Sequence, residues 1–212
     1  MDATELHDLF RIEMHDVEEP YFFESASIYT YINDAQSWFC RLTEGIEDAR
    51  SAILSLTPGV EWYSTPKSML KLRAAYRLAS GHAVDIVNQE QAHGHGVCFN
   101  GATGPLRALV AGAEKNKLRA WPVPNQIENV QLEIFRLPKP VGEGDSLEID
   151  DQHHLPLLLW VKHLAYGNAD SEIFDRRKSE EFESKFQSYC AKARAEQTRS
   201  RRQVGVTQYG GY

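Results

Sequence analysis

The chain has 212 residues, 42% hydrophobic and 25% charged, which is enough apolar material for a real core and excludes disorder throughout. A formal net charge of −7 excludes a surface that grips nucleic acid all round, while an acidic lumen that lets DNA slide past is compatible with it. Cys40, Cys98 and Cys190 are isolated and odd in number, so neither a disulfide framework nor a cysteine zinc site is indicated.

The first predicted helix runs from Thr4 to His15, with Leu6, Leu9, Phe10 and Met14 on one face. Pro20 stops it, and Tyr21-Phe22-Phe23 bridges to a second helix with Ser25 as its N-cap. In that helix Ile28, Ile32, Ala35, Phe39, Leu42 and Ile46 recur at three- and four-residue steps, and Gly45 lies near its end. Met1 to Glu5 is acidic and has no apolar run, so no signal peptide is expected and synthesis is expected in the cytoplasm.

Beyond Ala52 the period changes. Short strands are predicted at 53–56, 61–63, 70–74, 82–87, 118–121 and 130–135, with Pro58-Gly59, Ser80-Gly81, Gly104-Pro105 and Lys115-Asn116 between them. The last strand alternates apolar and polar residues, so one of its faces is expected to be wet. Helix returns at His154 to Tyr166. Leu155 to Val161 within it is the greasiest run, far too short to span a bilayer. Gly167 to Asp170 connects to a long last helix capped by Asp170 or Ser171, with Ile173, Phe174, Phe182, Phe186, Tyr189, Cys190 and Ala193 as its buried stripe. The reading is an α+β chain. Residues 1–50 and 151–202 form a helical bundle of two N-terminal and two C-terminal helices, 51–150 an inserted antiparallel β region, and 203–212 an extended C-terminal tail.

Charge is unevenly placed. Residues 1–50 hold twelve Asp and Glu against Arg11, Arg41 and Arg50, whereas basic residues gather from Lys192 onward. That polarity suits head-to-tail contacts between subunits or partners of opposite sign. Arg194, Arg199, Arg201 and Arg202 form a basic patch, which on nucleic acid would give salt-dependent, non-specific affinity. The uncharged tail that follows favours a protein partner instead. It has too few apolar residues to offset its own ordering entropy, yet places Val204, Val206, Tyr209 and Tyr212 at regular intervals, as a peptide that anchors in another molecule's pocket does.

Chemistry is weakly signalled. His93 and His95, with His153 and His154 further on, are the metal candidates, but no HExxH or carboxylate at a characteristic spacing accompanies them, and no metal or cofactor is expected. Gly96 to Thr103 has the glycine spacing of a phosphate loop, with Ala102 where the phosphate-binding lysine is needed. Cys98 beside His93 and His95 gives the alternative of a metal- or thiol-dependent hydrolase. A small DNA-binding accessory protein using the basic patch is a second alternative. Trp38, Trp62, Trp121 and Trp160 are spread one per element, as core and interface anchors are.

The opening helix, the aromatic bridge and Ile28-Tyr29-Thr30-Tyr31-Ile32-Asn33-Asp34-Ala35-Gln36 resemble the head-to-tail connector (adaptor) proteins of tailed bacteriophages. Leu132 to Pro140 with its Pro-x-Pro turn, His154-Leu155-Pro156, Tyr166 to Asp170, and the Arg-rich helix ending in Tyr209-Gly210-Gly211-Tyr212 extend the resemblance over most of the chain. It implies a non-enzymatic virion protein, made in the host cytoplasm, that assembles as a ring of twelve copies docked on the portal protein. Such a ring extends the channel for double-stranded DNA and offers a platform to tail proteins, with no membrane partner. It also implies that Arg199, Arg201, Arg202, Val204, Val206, Tyr209 and Tyr212 bind grooves between portal subunits. Acids that keep DNA sliding are sought on the second helix and its end, at Asp34, Glu44, Glu47 and Asp48.

Overall fold

The computed structural model describes residues 1–95, 101–169 and 173–202, with the backbone alone at His93, His95, Arg201 and Arg202. It divides into two compact units, Met1–Gly45 with the chain from Pro138 onward, and Ile46–Leu137. The fold is α+β, with the helices toward the two ends of the chain and the sheets between them in sequence.

In the first unit, α1 (Ala3–Glu13) opens on a capping box. The Asp2 carboxylate accepts the Glu5 N–H at 2.8 Å while the Glu5 carboxylate accepts the Asp2 N–H at 3.0 Å, which satisfies two otherwise orphaned donors. The helix ends well before Pro20. His15 turns left-handed (φ 56°), and the Asp16 N–H bonds back to the Arg11 carbonyl at 2.9 Å. The N-cap of α2 (Ser25–Leu42) is Glu24, without a side-chain cap, and not Ser25, which is the first helical residue and whose hydroxyl lies 3.1 Å from Arg11 and 3.2 Å from His7. A short 3-10 turn (Asp151–His153) leads into α3 (His154–Gly167), and α4 (Arg176–Arg202) completes the unit.

α3 packs against all three other helices, as its nearly unbroken apolar sequence requires. Leu157, Val161 and Ala165 are fully buried, and the one polar group its Trp160 carries inward, the indole N–H, donates to Asp34 at 2.7 Å. Asn33 on α2 pins the segment after Pro138: its amide donates to the Val141 carbonyl at 2.8 Å and accepts the Val141 N–H at 2.7 Å.

The described residues of the second unit hold nine strands: β1 (Ile46–Leu56), β2 (Trp62–Ser64), β3 (Met69–Arg77), β4 (Asp85–Asn88), β5 (Thr103–Gly104), β6 (Ala108–Ala111), β7 (Lys117–Trp121), β8 (Val123–Pro124) and β9 (Glu128–Arg136). They order as β1-β9-β3, β2-β7-β6-β4 and β5-β8; pairing is antiparallel except for the parallel pairs β4–β6 and β5–β8. Val130, Leu132 and Ile134 of β9 face a core shared with Leu56, Leu109 and Leu118, while Gln131 and Glu133 between them are half-buried and Phe135, next in that alternation, is buried. The β6–β7 turn requires glycine at 112: φ is +83°, and a Cβ there would stand 2.8 Å from the Asn88 amide oxygen.

Several boundaries differ from expectation for physical reasons. The second helix stops at Leu42: Thr43 leaves the helical region (φ −91°, ψ −118°) and Gly45 turns left-handed (φ 81°), so Ile46 opens β1 instead of continuing the apolar stripe. β6 went unanticipated because its run is apolar throughout and shows no alternation. The last helix begins at Arg176, capped by Asp175, whose carboxylate accepts the Lys178 N–H at 3.1 Å. Ile173 and Phe174 therefore precede it, Phe174 being 49% exposed. Asp170 and Ser171 lie outside the described residues.

Candidate functional site

α4 is the longest element, and its sequence explains both its docking and its exposure. Ser179, Phe186, Cys190 and Ala193 fall at helical spacing and are buried. Ser179 and Phe186, with the half-buried Phe182 between them, face partners on α3. The Ser179 hydroxyl donates to the His163 carbonyl at 2.9 Å, Tyr166 stacks on the Phe182 ring at 5.8 Å, and Trp160 meets Phe186 at 5.2 Å. His153 Nδ1 lies 2.7 Å from the Tyr189 hydroxyl. Burial holds the His153 pKa below its ordinary value and raises that of Tyr189. Burial also pushes the Cys190 thiol up to about 12. All three are therefore held uncharged at neutral pH. On the outer face Arg176–Glu180 (2.8 Å) and Lys185–Glu181 (2.6 Å) are spaced four residues apart, the ordinary support of a solvated helix.

Beyond Ala193 no described side chain of α4 is buried, although the helix runs on to Arg202. At about 1.5 Å per residue that is a further two and a half turns, roughly 13 Å, of helix, in which Gln197 and Thr198 are half-buried and Arg194, Ala195, Glu196, Arg199 and Ser200 are exposed. Arg199 lies there, exposed, and the backbone of Arg201 and Arg202 is helical. The basic patch is thus carried on helix whose described side chains beyond Ala193 are half-buried or exposed. Val204, Val206, Tyr209 and Tyr212 lie outside the described residues.

The residue 1–208 stretch matches the family model described as SU10 adaptor protein. The chain belongs to that family. A search of curated proteins returned no match. As a member of a phage head-tail adaptor family, it is a structural component of bacteriophage tail assembly and of the virion.

The other candidate groups of this SU10 adaptor are placed as follows. His93 and His95 sit in a 3-10 segment, Gln89–His95, and Cys98 lies outside the described residues. The second histidine pair is committed elsewhere, since His154 Nε2 bonds to the Ile149 carbonyl at 2.6 Å and His153 faces Tyr189. Among the described residues no three His, Cys, Asp or Glu side chains are grouped as metal ligands. No helix among them is long and apolar enough to cross a membrane.

The acids sought for a DNA channel do not share a helix. Asp34 is on α2 and takes the Trp160 indole, while Glu47 and Asp48 are on β1. Glu47 pairs with Arg73, and Asp48 with Arg136 at 2.8 Å. The Ser51 hydroxyl and N–H bonding to Asp48, with Arg136 beside it, hold its carboxyl well below the usual range.

Sequence reasoning missed one feature, the corner between α1 and α2. Arg11 and Asp16 are buried there as an ion pair, and Tyr21 and Phe22 are turned outward. The available signal was Arg11 standing beside Phe10 on the apolar face, with an acid five residues on.

Proposed function

We propose that this adaptor forms a ring of twelve copies on the portal, extends the channel through which double-stranded DNA passes, and gives tail proteins their platform. The end of burial at Ala193 carries the reading. A helix that continues in basic sequence past its last buried residue, with Arg199 exposed, is suited to present that end to another molecule. Arg199, Arg201 and Arg202 supply charge at the mouth of a groove between portal subunits. Val204, Val206, Tyr209 and Tyr212 fill it, with tyrosine burying an aromatic body while its hydroxyl bonds at the tip. Docking raises the local concentration of neighbouring copies until the ring closes. The chain acts by assembly, without turnover.

The test compares the full chain with one truncated after Arg202, each mixed with cognate portal rings and followed by sedimentation and electron microscopy. The full chain is expected to form stoichiometric collars and the truncated chain none, with circular dichroism unchanged. Equal affinity for the portal in both would sink the reading.

A further inference from the structure

The corner from His15 to Glu24 is a loop locked from inside. The Asp16 carboxylate, 1% exposed, accepts the Arg11 guanidinium at 2.6 Å and the N–H groups of Phe22 and Phe23 at 2.7 and 3.3 Å. Arg11 also donates to the Phe23 carbonyl at 2.9 Å, and Phe23 packs inward on Phe10. With Phe23 committed to the core, Tyr21 and Phe22 face solvent at 46% and 61% exposure, beside Ile12 and Val17 at 60% and 56%. Arg11 stacks on the Tyr21 ring at 4.1 Å, which fixes it further.

A buried ion pair is a poor way to gain stability, because desolvation cancels most of its attraction. Here it fixes large apolar side chains in water, the arrangement that lowers the entropy cost of docking. The occupant is indicated by charge. Glu18, Glu19 and Glu24 rim the corner, exposed and without an ion pair among the described residues, whereas Glu13 is taken by Lys162 at 2.6 Å. A basic partner fits. On α4 the cations Arg176 and Lys185 are paired within the helix; Arg177 and Arg199, near its two ends, are exposed and have no ion pair among the described residues, and so, between them, are Lys192 and Arg194. They flank Ala193, where burial ends.

We propose that the α1–α2 corner of one copy, anchored by Tyr21 and Phe22, docks on the Lys192–Arg194 turn of α4 in the next copy. The two surfaces differ, so the contact is heterologous, the kind that closes rings. The cations meet the glutamate rim and the faces of the two aromatic rings. This deepens the ring reading and rests on it, and leaves Arg199 onward to the portal.

Charge exchange tests it. One variant carries Glu18→Lys and Glu19→Lys, a second carries Lys192→Glu and Arg194→Glu, and a third carries all four. Native mass spectrometry counts copies, free and per portal ring, for each chain and for the first two mixed. Each of the first two alone is expected to lose neighbour contacts by on the order of tenfold or more. The third, and the mixture, are expected to regain them, because opposite charges then face each other again. Phe22→Ser removes an exposed anchor without touching the core and is expected to weaken assembly while thermal stability holds. Wild-type rings matched by every variant overturn the corner contact and leave the ring standing. A wild-type chain that never associates with its own copies, free or on the portal, overturns both.

Discussion

Ser179 of α4 lies against Gly167 of α3 so closely that a Cβ on Gly167 would stand 3.0 Å from the Ser179 hydroxyl oxygen. The hydroxyl cannot swing away freely, since it donates to the His163 carbonyl and lies 2.9 Å from His163 Nδ1. Gly167 is the last residue of α3 and has no positive φ, so an alanine there would ordinarily gain some part of the ~1 kcal/mol that it gains over glycine in a helix interior. Gly167→Ala is expected to lose stability here instead, and to gain it once Ser179→Ala has cleared the space. A double-mutant cycle in urea should show a coupling on the order of 1 kcal/mol. Additive effects would mean that the two helices are not held this close.

The Arg11–Asp16 pair is buried on both sides. Arg11→Met leaves the Asp16 charge without its counter-ion and is expected to cost about 3 kcal/mol in urea unfolding. Adding Asp16→Asn removes the charge and should recover part of that loss. A cost under about 0.5 kcal/mol, the range of ordinary surface substitutions, would place the pair in water.

Legibility followed the strength of local physics. Phe186, Cys190 and Ala193 repeat with the helical period and are buried, and Val130, Leu132 and Ile134 alternate and are buried, so both patterns could be read directly. The junction after Leu42 could not, because Ile46 fits the helical stripe as well as it opens a strand, and the backbone turn at Thr43 and Gly45 that ends the helix leaves no periodic trace. β6 pairs with β4 in parallel across intervening chain, a partnership no local window contains. At the site, the basic end of α4 was visible as composition. That burial stops at Ala193 was not, because it depends on how far α3 reaches alongside. The outward turn of Tyr21 and Phe22 was hidden for a related reason: it follows from a bond between Asp16 and the backbone, which composition does not record.

Cys190 is 1% exposed, and burial pushes its thiol up to about 12. Only the thiolate is an effective nucleophile, so at mildly alkaline pH the folded chain holds almost none at this position. Iodoacetamide is expected to leave Cys190 unmodified in the native protein and to modify it fully in urea, as read by peptide mass mapping. Rapid native labelling would mean that the α3–α4 contact opens on the timescale of the reaction.

His153 provides a pH signature of the same helix contact. Burial disfavours its charged form, so its folded-state pKa lies below the ordinary 6.5. As the pH falls through about 6.5 the unfolded chain takes up a proton here and the folded chain does not. The unfolded state then binds more protons, so this stability is complete above that pH and declines below it, until the folded-state pKa is reached. The slope contributed by one such group is at most about 1.4 kcal/mol per pH unit. His153→Asn keeps an amide nitrogen near the Nδ1 position that meets the Tyr189 hydroxyl at 2.7 Å, but cannot titrate in this range. Urea unfolding of both chains across mildly acidic pH is expected to show a shallower decline for the variant, with the two curves parallel above neutrality. Parallel curves throughout would mean that His153 takes up its proton as readily in the folded chain as in the unfolded one.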